Sequence, residues 1–255
     1  SDPAPMIPKI IHLCWLSGDP YPEKIAQCIS TWKKHLPDYE IMLWDTKRFD
    51  VNSTPWTKEA FESKKYAFVA DYIRFYAVYN YGGIYLDSDV EVLKSFDDLL
   101  DKPYFIGEEC LGTHLEVAVF GAEKGTGWVK DSLDYYDGRH FIKEDGSFDT
   151  LISPKIMDKL LRQRYEWVHV QSPEDIIPDE SRMFILPNDW LCGREWLNGG
   201  KGKIVYKVTP NTFAIHHFAH TWAEFPGGLL HKIYYKITGK DWYKHYFGNF
   251  TLYQK

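Results

Sequence analysis

The first 45 residues alternate short apolar runs with a helical periodicity, a pattern that predicts a β-α-β unit. The run "KIIHLCWL", residues 9–16, ends in the turn cluster "SGDP", as expected of a buried strand that leads into a loop. Residues 22–35 repeat apolar positions at helical spacing, and "YEIMLWD", residues 39–45, predicts a second strand. Such a unit implies a parallel sheet that binds ligands at the carboxyl ends of its strands.

The same patterning predicts an α/β fold for most of the chain. Residues 57–81 keep one aromatic stripe up to Gly82-Gly83, which predicts a single helix ended by glycine, and "IYLDSDVEV", residues 84–92, predicts one extended strand. The remaining predicted elements are a short helix near 96–100, helices at about 128–136 and 154–164, and strands near 104–107, 116–121, 166–170, 183–186, 204–207 and 212–222. We expect one domain over residues 6–222 and a small C-terminal helical appendage over 223–255.

Composition and charge indicate a globular protein and argue against a nucleic-acid-binding or membrane-spanning one. With 255 residues, 44% of them hydrophobic, the chain can bury a sizeable core, and a net charge of −6 gives no basic excess for a nucleic-acid backbone. The four cysteines show no CxxC spacing, which favours a reducing compartment without structural zinc. No apolar stretch approaches the ~18 residues of a membrane span, and no leader opens the chain. We expect a cytoplasmic protein, with residues 1–5 a remnant of expression ahead of Met6.

Asp87-Ser88-Asp89 concentrates negative charge in the predicted strand 84–92. Alternate side chains of a strand share a face, so Tyr85, Asp87 and Asp89 are expected to point the same way. Two close carboxylates repel each other and raise each other's pKa unless a cation lies between them. Mg²⁺ or Mn²⁺ would relieve that repulsion, and a diphosphate would supply further oxygen ligands. The alternative is a polar strand end with solvated acids, which is the commoner meaning of an isolated Asp-x-Asp.

Two other groups of polar residues support a site here. Asp71 and Arg74 are three residues apart on a helix rich in aromatic residues, where they form either an intrahelical ion pair or a polar patch for a ligand such as a sugar. His216 and His217 end a late predicted strand, and His220 follows. Because a strand alternates faces, His216 and His217 cannot both reach one metal, so one of them is expected to be structural.

The segments "IPKIIHLCWLSG", "AFVADYIRFYAVYNYGGIYLDSDVEVL" and "AIHHFAHTW", in that order, resemble the DXD-containing glycosyltransferases of family 32. The likeness is greatest to bacterial enzymes of capsule, lipopolysaccharide or exopolysaccharide clusters, and the middle segment is similar to the sugar-transferring domain of large clostridial toxins. The resemblance extends over most of residues 6–222. It implies a GT-A fold, with a Rossmann-like, mixed and mostly parallel sheet flanked by helices, and transfer with retention of anomeric configuration.

The resemblance also implies a metal site. In it, Asp87 and Asp89 hold Mn²⁺ or Mg²⁺, with Asp89 the more direct ligand. His216 completes the metal's ligands because it ends a late strand just after two apolar residues. His220 stands where related enzymes often carry a small residue and remains an alternative ligand.

For the donor, the resemblance implies a UDP-sugar. Trp15 stacks on the uracil, which would contribute about 1–3 kcal/mol by analogy with base stacking on aromatic side chains. Tyr85 lies against the donor, Asp71 and Arg74 contact its sugar, and Trp222 reaches the diphosphate. Together with the two acids of the DXD motif, Asp71, Arg74 and Trp222 make up the expected catalytic set.

The acceptor is less well defined by the sequence. Glu108 and Glu109 follow a predicted strand and either orient an acceptor hydroxyl or lie solvated in a loop. Beyond Trp222, lysines recur every fourth residue at 232, 236, 240 and 244 beside an apolar face. Such a segment either packs on the domain or lies on an anionic membrane surface, which would suit a lipid-linked saccharide acceptor.

Two other functions compete with a retaining hexosyltransferase. A nucleotidyltransferase that makes nucleotide-sugars normally has a Gly-rich, basic loop after its first strand, and residues 17–20 here, "SGDP", have neither feature. A non-catalytic carbohydrate-binding protein would use some of the ten tryptophans to stack on sugars, but such modules are usually all-β. The sequence therefore favours transfer of a hexose or N-acetylhexosamine from a UDP-sugar to a saccharide acceptor.

Overall fold

The computed structural model describes residues 6–219, 233, 236–237 and 251–254, which contain both helices and strands. The strands are β1 (Ile10–Cys14), β2 (Glu40–Trp44), β3 (Gly83–Leu86), β4 (Val90–Val92), β5 (Tyr104–Phe105), β6 (Val119–Ala122), β7 (Glu166–His169), β8 (Arg182–Ile185), β9 (Arg194–Trp196), β10 (Ile204–Tyr206) and β11 (Ala214–His216). The helices are α1 (Glu23–His35), α2 (Pro55–Glu62), α3 (Tyr66–Tyr81), α4 (Gly127–Asp134), α5 (Ser153–Arg164) and α6 (Asn188–Leu191).

The central sheet has five strands in the order β2-β1-β3-β6-β5. Strand β1 pairs in parallel with β2 and β3, whereas β6 pairs antiparallel with β3 and β5. The other strands form two-stranded pairs, β4 with β11, β7 with β8, and β9 with β10. This confirms the predicted mixed α/β fold with helices and a central mixed sheet. Two of the four pairings in that sheet are parallel, rather than most of them, and both involve β1.

The predicted β-α-β opening is confirmed, with strands and helix within one or two residues of the expected bounds. The apolar face of α1 is buried and includes Ile25, Ile29 and Trp32. The Trp32 indole is fully buried, and its Nε1 donates a 2.7 Å hydrogen bond to the carbonyl oxygen of Val90. Since a buried indole N–H needs a partner, this bond ties α1 to β4.

The predicted single helix over 57–81 is wrong, because the chain forms two helices separated at residues 63–65. Thr54 caps α2, its hydroxyl accepting from the Thr57 amide, and α2 then ends at Glu62. Lys64 has a φ of 56°, a left-handed conformation that a helix cannot contain, so the chain turns before α3 begins. An apolar stripe that runs through both helices gave no sign of this break.

Gly82 and Gly83 end α3 as predicted, and both have positive φ. Gly83 also lets two strands approach closely. A Cβ on Gly83 would lie 2.7 Å from the carbonyl oxygen of Ile10, which is within overlap distance. The glycine pair therefore turns the chain sharply from α3 into the middle of the central sheet.

The predicted strand over 84–92 is also wrong, because it is two strands joined by a turn. Strand β3 ends at Leu86, and the Val90 amide donates a 3.1 Å hydrogen bond back to the Asp87 carbonyl oxygen. Strand β4 then leaves the central sheet and pairs antiparallel with β11, with Val90 opposite His216. Asp87 and Asp89 thus lie in a turn, and strand alternation cannot be the reason that their side chains meet.

His12 is an ionisable residue that is buried in the core of the sheet. Its imidazole is fully buried, accepts from Trp44 Nε1 at 3.0 Å through Nδ1, and bonds the Gly82 carbonyl oxygen at 2.8 Å through Nε2. Burial lowers the pKa of His12 to about 4, so the ring is neutral and donates to Gly82. His12 is part of the core and holds the end of α3 against β1.

Several expectations for the C-terminal part lie outside the described residues. These are the domain boundary at 222, most of the helical appendage and the lysines at 232, 240 and 244. Within 223–255 the structure describes residues 233, 236 and 237 as helical and residues 251–254 as non-helical, and the division into 6–222 and 223–255 stays a prediction. Ile233 and Ile237, which are described, have exposed fractions of 42% and 77%. In the part of the chain that the structure covers, no helix combines the length and hydropathy needed to cross a bilayer.

Candidate metal centre and donor site

The turn that follows β3 presents its two acids in different settings. The Asp87 carboxylate accepts a 2.6 Å hydrogen bond from the Tyr85 hydroxyl, and its side chain is 28% exposed. The Asp89 carboxylate accepts a 2.9 Å bond from the Ala219 amide and is 12% exposed. The turn backbone is fixed as well, since the Asp87 amide donates to the Ala118 carbonyl oxygen and the His217 amide to that of Asp89. Both carboxylates are therefore held in place from several sides.

Asp87, Asp89 and His216 form a group that could hold a metal ion. Each offers one ligand atom, and these atoms all lie within 4.8 Å of one another. Burial raises the pKa of Asp87, Arg74 opposes that rise, and the charge of Asp89 adds to it. Two carboxylate oxygens and an imidazole nitrogen suit a divalent cation such as Mn²⁺ or Mg²⁺, whose charge would relieve the repulsion. The predicted ligand set thus fits the predicted ion.

His216 is oriented by a carboxylate that the sequence analysis did not single out. Its Nε2 lies 3.5 Å from Asp89 Oδ2, and its Nδ1 lies 3.2 Å from Glu116 Oε2. Glu116 is only 2% exposed. Burial opposes charge on the ring, but Glu116 and Asp89 together raise the pKa of His216 above its usual value. A second carboxylate behind a metal-binding imidazole is a common way to fix the ring.

His217 faces the opposite side of the strand, as strand alternation requires. Its Nε2 lies 2.8 Å from Glu91 Oε1, and its side chain is 0% exposed. The structure therefore brings His216 to the two aspartates and places His217 against Glu91. His220, the alternative ligand, lies outside the described residues.

Arg74 links the predicted sugar contact to the acid turn. Its Nη2 lies 3.1 Å from Asp71 Oδ1 and 3.5 Å from Asp87 Oδ1, and its Nη1 donates to the Val117 carbonyl oxygen at 2.8 Å. The guanidinium carbon lies 4.7 Å from the centre of the Tyr85 ring. Arg74 and Asp71 are both buried, so this is not a solvated surface pair. One positive charge is shared between two carboxylates.

Burial has a clear effect on Asp71. Desolvation raises the pKa of Asp71 to about 7, even though Arg74 opposes the rise, and Asp87 adds to it. A carboxyl group with this pKa changes protonation near neutral pH and so can donate or accept a hydrogen bond. That property suits a residue expected to contact sugar hydroxyls.

Tyr85 and Trp15 lie on or next to neighbouring strands of the sheet. Tyr85 is 1% exposed and donates its hydroxyl to Asp87, so it supports the acid turn. Its predicted contact with the donor stays a prediction. Trp15 directly follows β1, is half-buried, and is fixed by a 2.7 Å bond from its Nε1 to the Asp19 carbonyl oxygen. Its ring packs edge-on against Tyr21 at 4.9 Å. Trp222 lies outside the described residues.

Glu108 and Glu109 have partners and are not a solvated pair. Glu108 Oε1 lies 2.8 Å from His169 Nδ1, and Glu109 accepts a 3.0 Å bond from the Leu111 amide. Burial raises the pKa of both carboxyl groups. Their predicted role toward an acceptor stays a prediction.

Comparison with known proteins finds curated relatives that are similar to part of this chain. Relatives include inositol phosphoceramide mannosyltransferase 3 of Schizosaccharomyces pombe, 36% identical over 110 residues that cover 42% of this chain and 31% of that protein. Mannosyl phosphorylinositol ceramide synthase CSH1 of Saccharomyces cerevisiae is 34% identical over 108 residues, or 41% of this chain and 28% of that protein. Subversion of eukaryotic traffic protein A of Legionella pneumophila is 28% identical over 125 residues, or 38% of this chain and 19% of that protein.

The chain spans about a third or less of the length of these curated relatives. Among solved structures, the glycosyltransferase PaToxG is similar with 20% identity and a TM-score of 0.46, over 62% of this chain and 68% of that one. The expected emphasis on bacterial polysaccharide enzymes is not what these relatives show, because two of the three are fungal. Residues 22–106 match the family described as the glycosyltransferase sugar-binding region containing a DXD motif, and in this chain that motif is Asp87-Ser88-Asp89.

Proposed function

We propose that this protein is a metal-dependent, retaining glycosyltransferase of GT-A type that transfers a hexose or N-acetylhexosamine from a UDP-sugar. The observation that carries the proposal is the meeting of Asp87, Asp89 and His216, whose ligand atoms lie within 4.8 Å of one another. The two aspartates belong to the family-matched segment, and the buried Asp71–Arg74 pair lies beside them. Solvated acids at a strand end would not converge, partly buried, on a histidine from a strand more than a hundred residues away.

Each residue has a role that follows from its contacts. A divalent cation held by Asp87, Asp89 and His216 would supply positive charge to the diphosphate as it departs. Glu116 orients the His216 ring, and the Tyr85 hydroxyl orients Asp87. Trp15, fixed at the carboxyl end of β1, offers an aromatic ring to the nucleotide base.

Asp71 and Arg74 position the donor's sugar. Arg74 is anchored by Val117 and by both acids, so its guanidinium is fixed before a ligand arrives. The carboxyl group of Asp71, with a pKa of about 7, donates or accepts a hydrogen bond with a sugar hydroxyl.

Retention of configuration is proposed to occur without a covalent sugar–enzyme intermediate. Asp87 accepts a hydrogen bond from Tyr85 and is paired with Arg74, and Asp71 is paired with the same guanidinium. Carboxylates held in this way are suited to positioning rather than to attack on carbon. Departure of the diphosphate and attack by the acceptor hydroxyl would then take place on the same face of the sugar.

The acceptor is proposed to be a saccharide or related polyol, carried on a lipid. The names of the fungal relatives describe mannose transfer to inositol phosphoceramide, a lipid of this chemical kind. In a bacterium the corresponding acceptor would be an intermediate of capsule, lipopolysaccharide or exopolysaccharide synthesis. A cytoplasmic protein that contacts the membrane surface peripherally would meet such an acceptor.

Thermal unfolding with nucleotides tests the donor site directly. The protein is heated with UDP, GDP or CMP, each with and without Mn²⁺. A ligand at a hundred times its dissociation constant adds about 2.7 kcal/mol, which raises Tm by a few degrees at this chain length. We expect a rise with UDP that requires Mn²⁺, and we expect Asp89→Asn to abolish it. Asp98→Asn, at an exposed acid in the short 3-10 helix Asp97–Leu99, is the matched control.

The outcomes separate the parts of the proposal. No rise with any nucleotide would contradict a nucleotide-sugar donor, and an equal rise without Mn²⁺ would contradict the metal site. A larger rise with GDP would replace the UDP-sugar by a GDP-sugar. Incubation of the responsive nucleotide-sugar with acceptor, followed by NMR of the product's anomeric proton, then tests retention.

A further inference from the structure

Two of the three candidate metal ligands lie at the ends of strands β4 and β11. We name this antiparallel pair, Val90–Val92 with Ala214–His216, the metal ribbon. Asp89 directly precedes one strand, and His216 ends the other. Because both metal-binding residues lie at the same end of the metal ribbon, any shift of one strand against the other changes the distance between their ligand atoms.

The other face of the metal ribbon holds a buried acid–imidazole pair. Glu91 and His217 are both buried, and His217 Nε2 lies 2.8 Å from Glu91 Oε1. The same oxygen, Glu91 Oε1, also accepts a 2.8 Å hydrogen bond from the backbone amide of Tyr253. A carboxylate from β4, an imidazole from the end of β11 and an amide close to the C-terminus therefore meet at one point.

Tyr206 adds a second contact to the C-terminal residues. Its ring lies 5.2 Å from that of Tyr253 and 6.1 Å from that of His217, and its hydroxyl donates to the Thr251 carbonyl oxygen at 3.4 Å. Residues 251–253 thus contact both β10 and the metal ribbon.

The Tyr253 amide matters because the oxygen that it reaches is buried. A buried carboxylate is stable only when its oxygens have donors, and loss of one donor leaves part of the charge uncompensated. Glu91 would then shift toward solvent. Its partner His217 would shift with it, and His217 is bonded directly to the candidate ligand His216 along the chain. Groups behind a metal ligand commonly change metal affinity by about 10- to 100-fold when they are altered.

We propose that Glu91, His217 and the backbone amide of Tyr253 form a brace that positions Asp89 and His216, and that the C-terminal residues are therefore part of the metal site's framework. The proposal rests on the proposed function in one respect, namely that Asp89 and His216 bind a divalent cation. Residues of the brace are positioning residues, since the candidate ligand group consists of Asp87, Asp89 and His216 and includes none of them. Glu91 and His217 act through the neighbouring ligands.

The test is a variant that removes the amide hydrogen. Tyr253→Pro lacks the N–H that donates to Glu91, and Gln254→Pro places the same substitution at the next, exposed residue as a control. Tyr253→Ala keeps the amide and removes the ring. Two quantities are measured on the full chain: hydrogen exchange of peptides that span 87–92 and 213–219, and Mn²⁺ affinity by calorimetric titration.

We expect Tyr253→Pro to increase exchange in both peptides and to weaken Mn²⁺ binding by about tenfold or more, with Gln254→Pro like the unaltered protein. Tyr253→Ala should keep slower exchange than Tyr253→Pro. Unchanged exchange in Tyr253→Pro would overturn the brace. Faster exchange with unchanged Mn²⁺ affinity would overturn its positioning role. Absence of Mn²⁺ binding in the unaltered protein would instead contradict the metal site of the proposed function, and with it the role of the brace.

Discussion

Replacement of Asp71 by asparagine should make the free protein more stable at pH 8 while leaving its stability near pH 4 almost unchanged. Asp71 is buried, and its Oδ1 accepts from Arg74 Nη2 at 3.1 Å. Asparagine has the same shape and keeps a carbonyl oxygen for Arg74, but it has no charge to desolvate. The substitution therefore removes the ionisation of Asp71 and preserves its neutral hydrogen bond.

The expected magnitude follows from the pKa. Burial raises the pKa of Asp71 from 3.8 to about 7, so between these values the folded state binds more protons than the unfolded state. Stability that protonated Asp71 contributes is present below about pH 4 and is lost as the pH rises through 7. At about 1.4 kcal/mol per pKa unit, the free energy of unfolding falls by about 4 kcal/mol at most. The Asp71→Asn variant has no carboxyl group at this position, so its free energy of unfolding should not show this fall.

Urea unfolding of both proteins from about pH 2 to pH 8 measures this difference. Asp179→Asn is a control of opposite sign, because hydrogen bonds from the Ser181 and Arg182 amides and the Arg182 side chain lower the pKa of Asp179 to about 2. That acid stabilises the fold above its unfolded pKa, so its asparagine variant should be weaker than the parent above about pH 4 and approach the parent as the pH falls toward 2. The reasoning would be refuted if the Asp71→Asn variant were less stable than the parent at pH 8. It would also be refuted if the difference in free energy of unfolding between the two proteins did not vary with pH.

Three further predictions concern the ligands, the nucleotide and the core. His216→Ala should weaken Mn²⁺ binding in calorimetric titration more than His217→Ala does, and the reverse order would assign the wrong imidazole to the metal. Trp15→Ala should weaken UDP binding by about 1–3 kcal/mol, and an unchanged dissociation constant would exclude stacking on this ring. Gly121→Ala should destabilise the fold by about 1–3 kcal/mol in urea, because its Cβ would lie 2.5 Å from the buried Phe105 ring of β5. Gly127→Ala, whose Cβ would meet its nearest neighbour at an ordinary 3.5 Å, is the control, and equal stabilities would show that the core adjusts.

Local patterns predicted most elements of the fold because periodicity reports which face of an element is buried. The opening strands and helix were predicted within one or two residues. Two breaks were missed, at residues 63–65 and at residues 87–89, in stretches where the apolar pattern continues on both sides. After the second break, β4 pairs with β11, where Val90 lies opposite His216. Because the two strands are far apart in sequence, no local pattern predicts this pairing.

The candidate site was predictable to the extent that its residues stand out from their surroundings. Asp87 and Asp89 are acids at the end of an apolar run, and the resemblance to family 32 selected His216 from three histidines. Glu116 and Glu91 were missed because their significance lies in their partners. Glu116 meets His216 across 100 residues of chain, and Glu91 meets a histidine 126 residues away. A single charged residue in a predicted strand does not reveal a partner at such a distance.

The segment that matches the family model, residues 22–106, is not a structural unit in its own right. Its central strand, β3, has β1 on one side and β6 on the other, and both of these strands lie outside the segment. The second strand of the metal ribbon, β11, also lies outside it. Cut out alone, the segment would keep both acids of its motif but would lose the hydrogen-bonding neighbours of β3 and the imidazole that faces those acids. The sequence signature therefore marks where the chemistry is concentrated, whereas a piece of chain able to fold around it has to extend at least from β1 to β11.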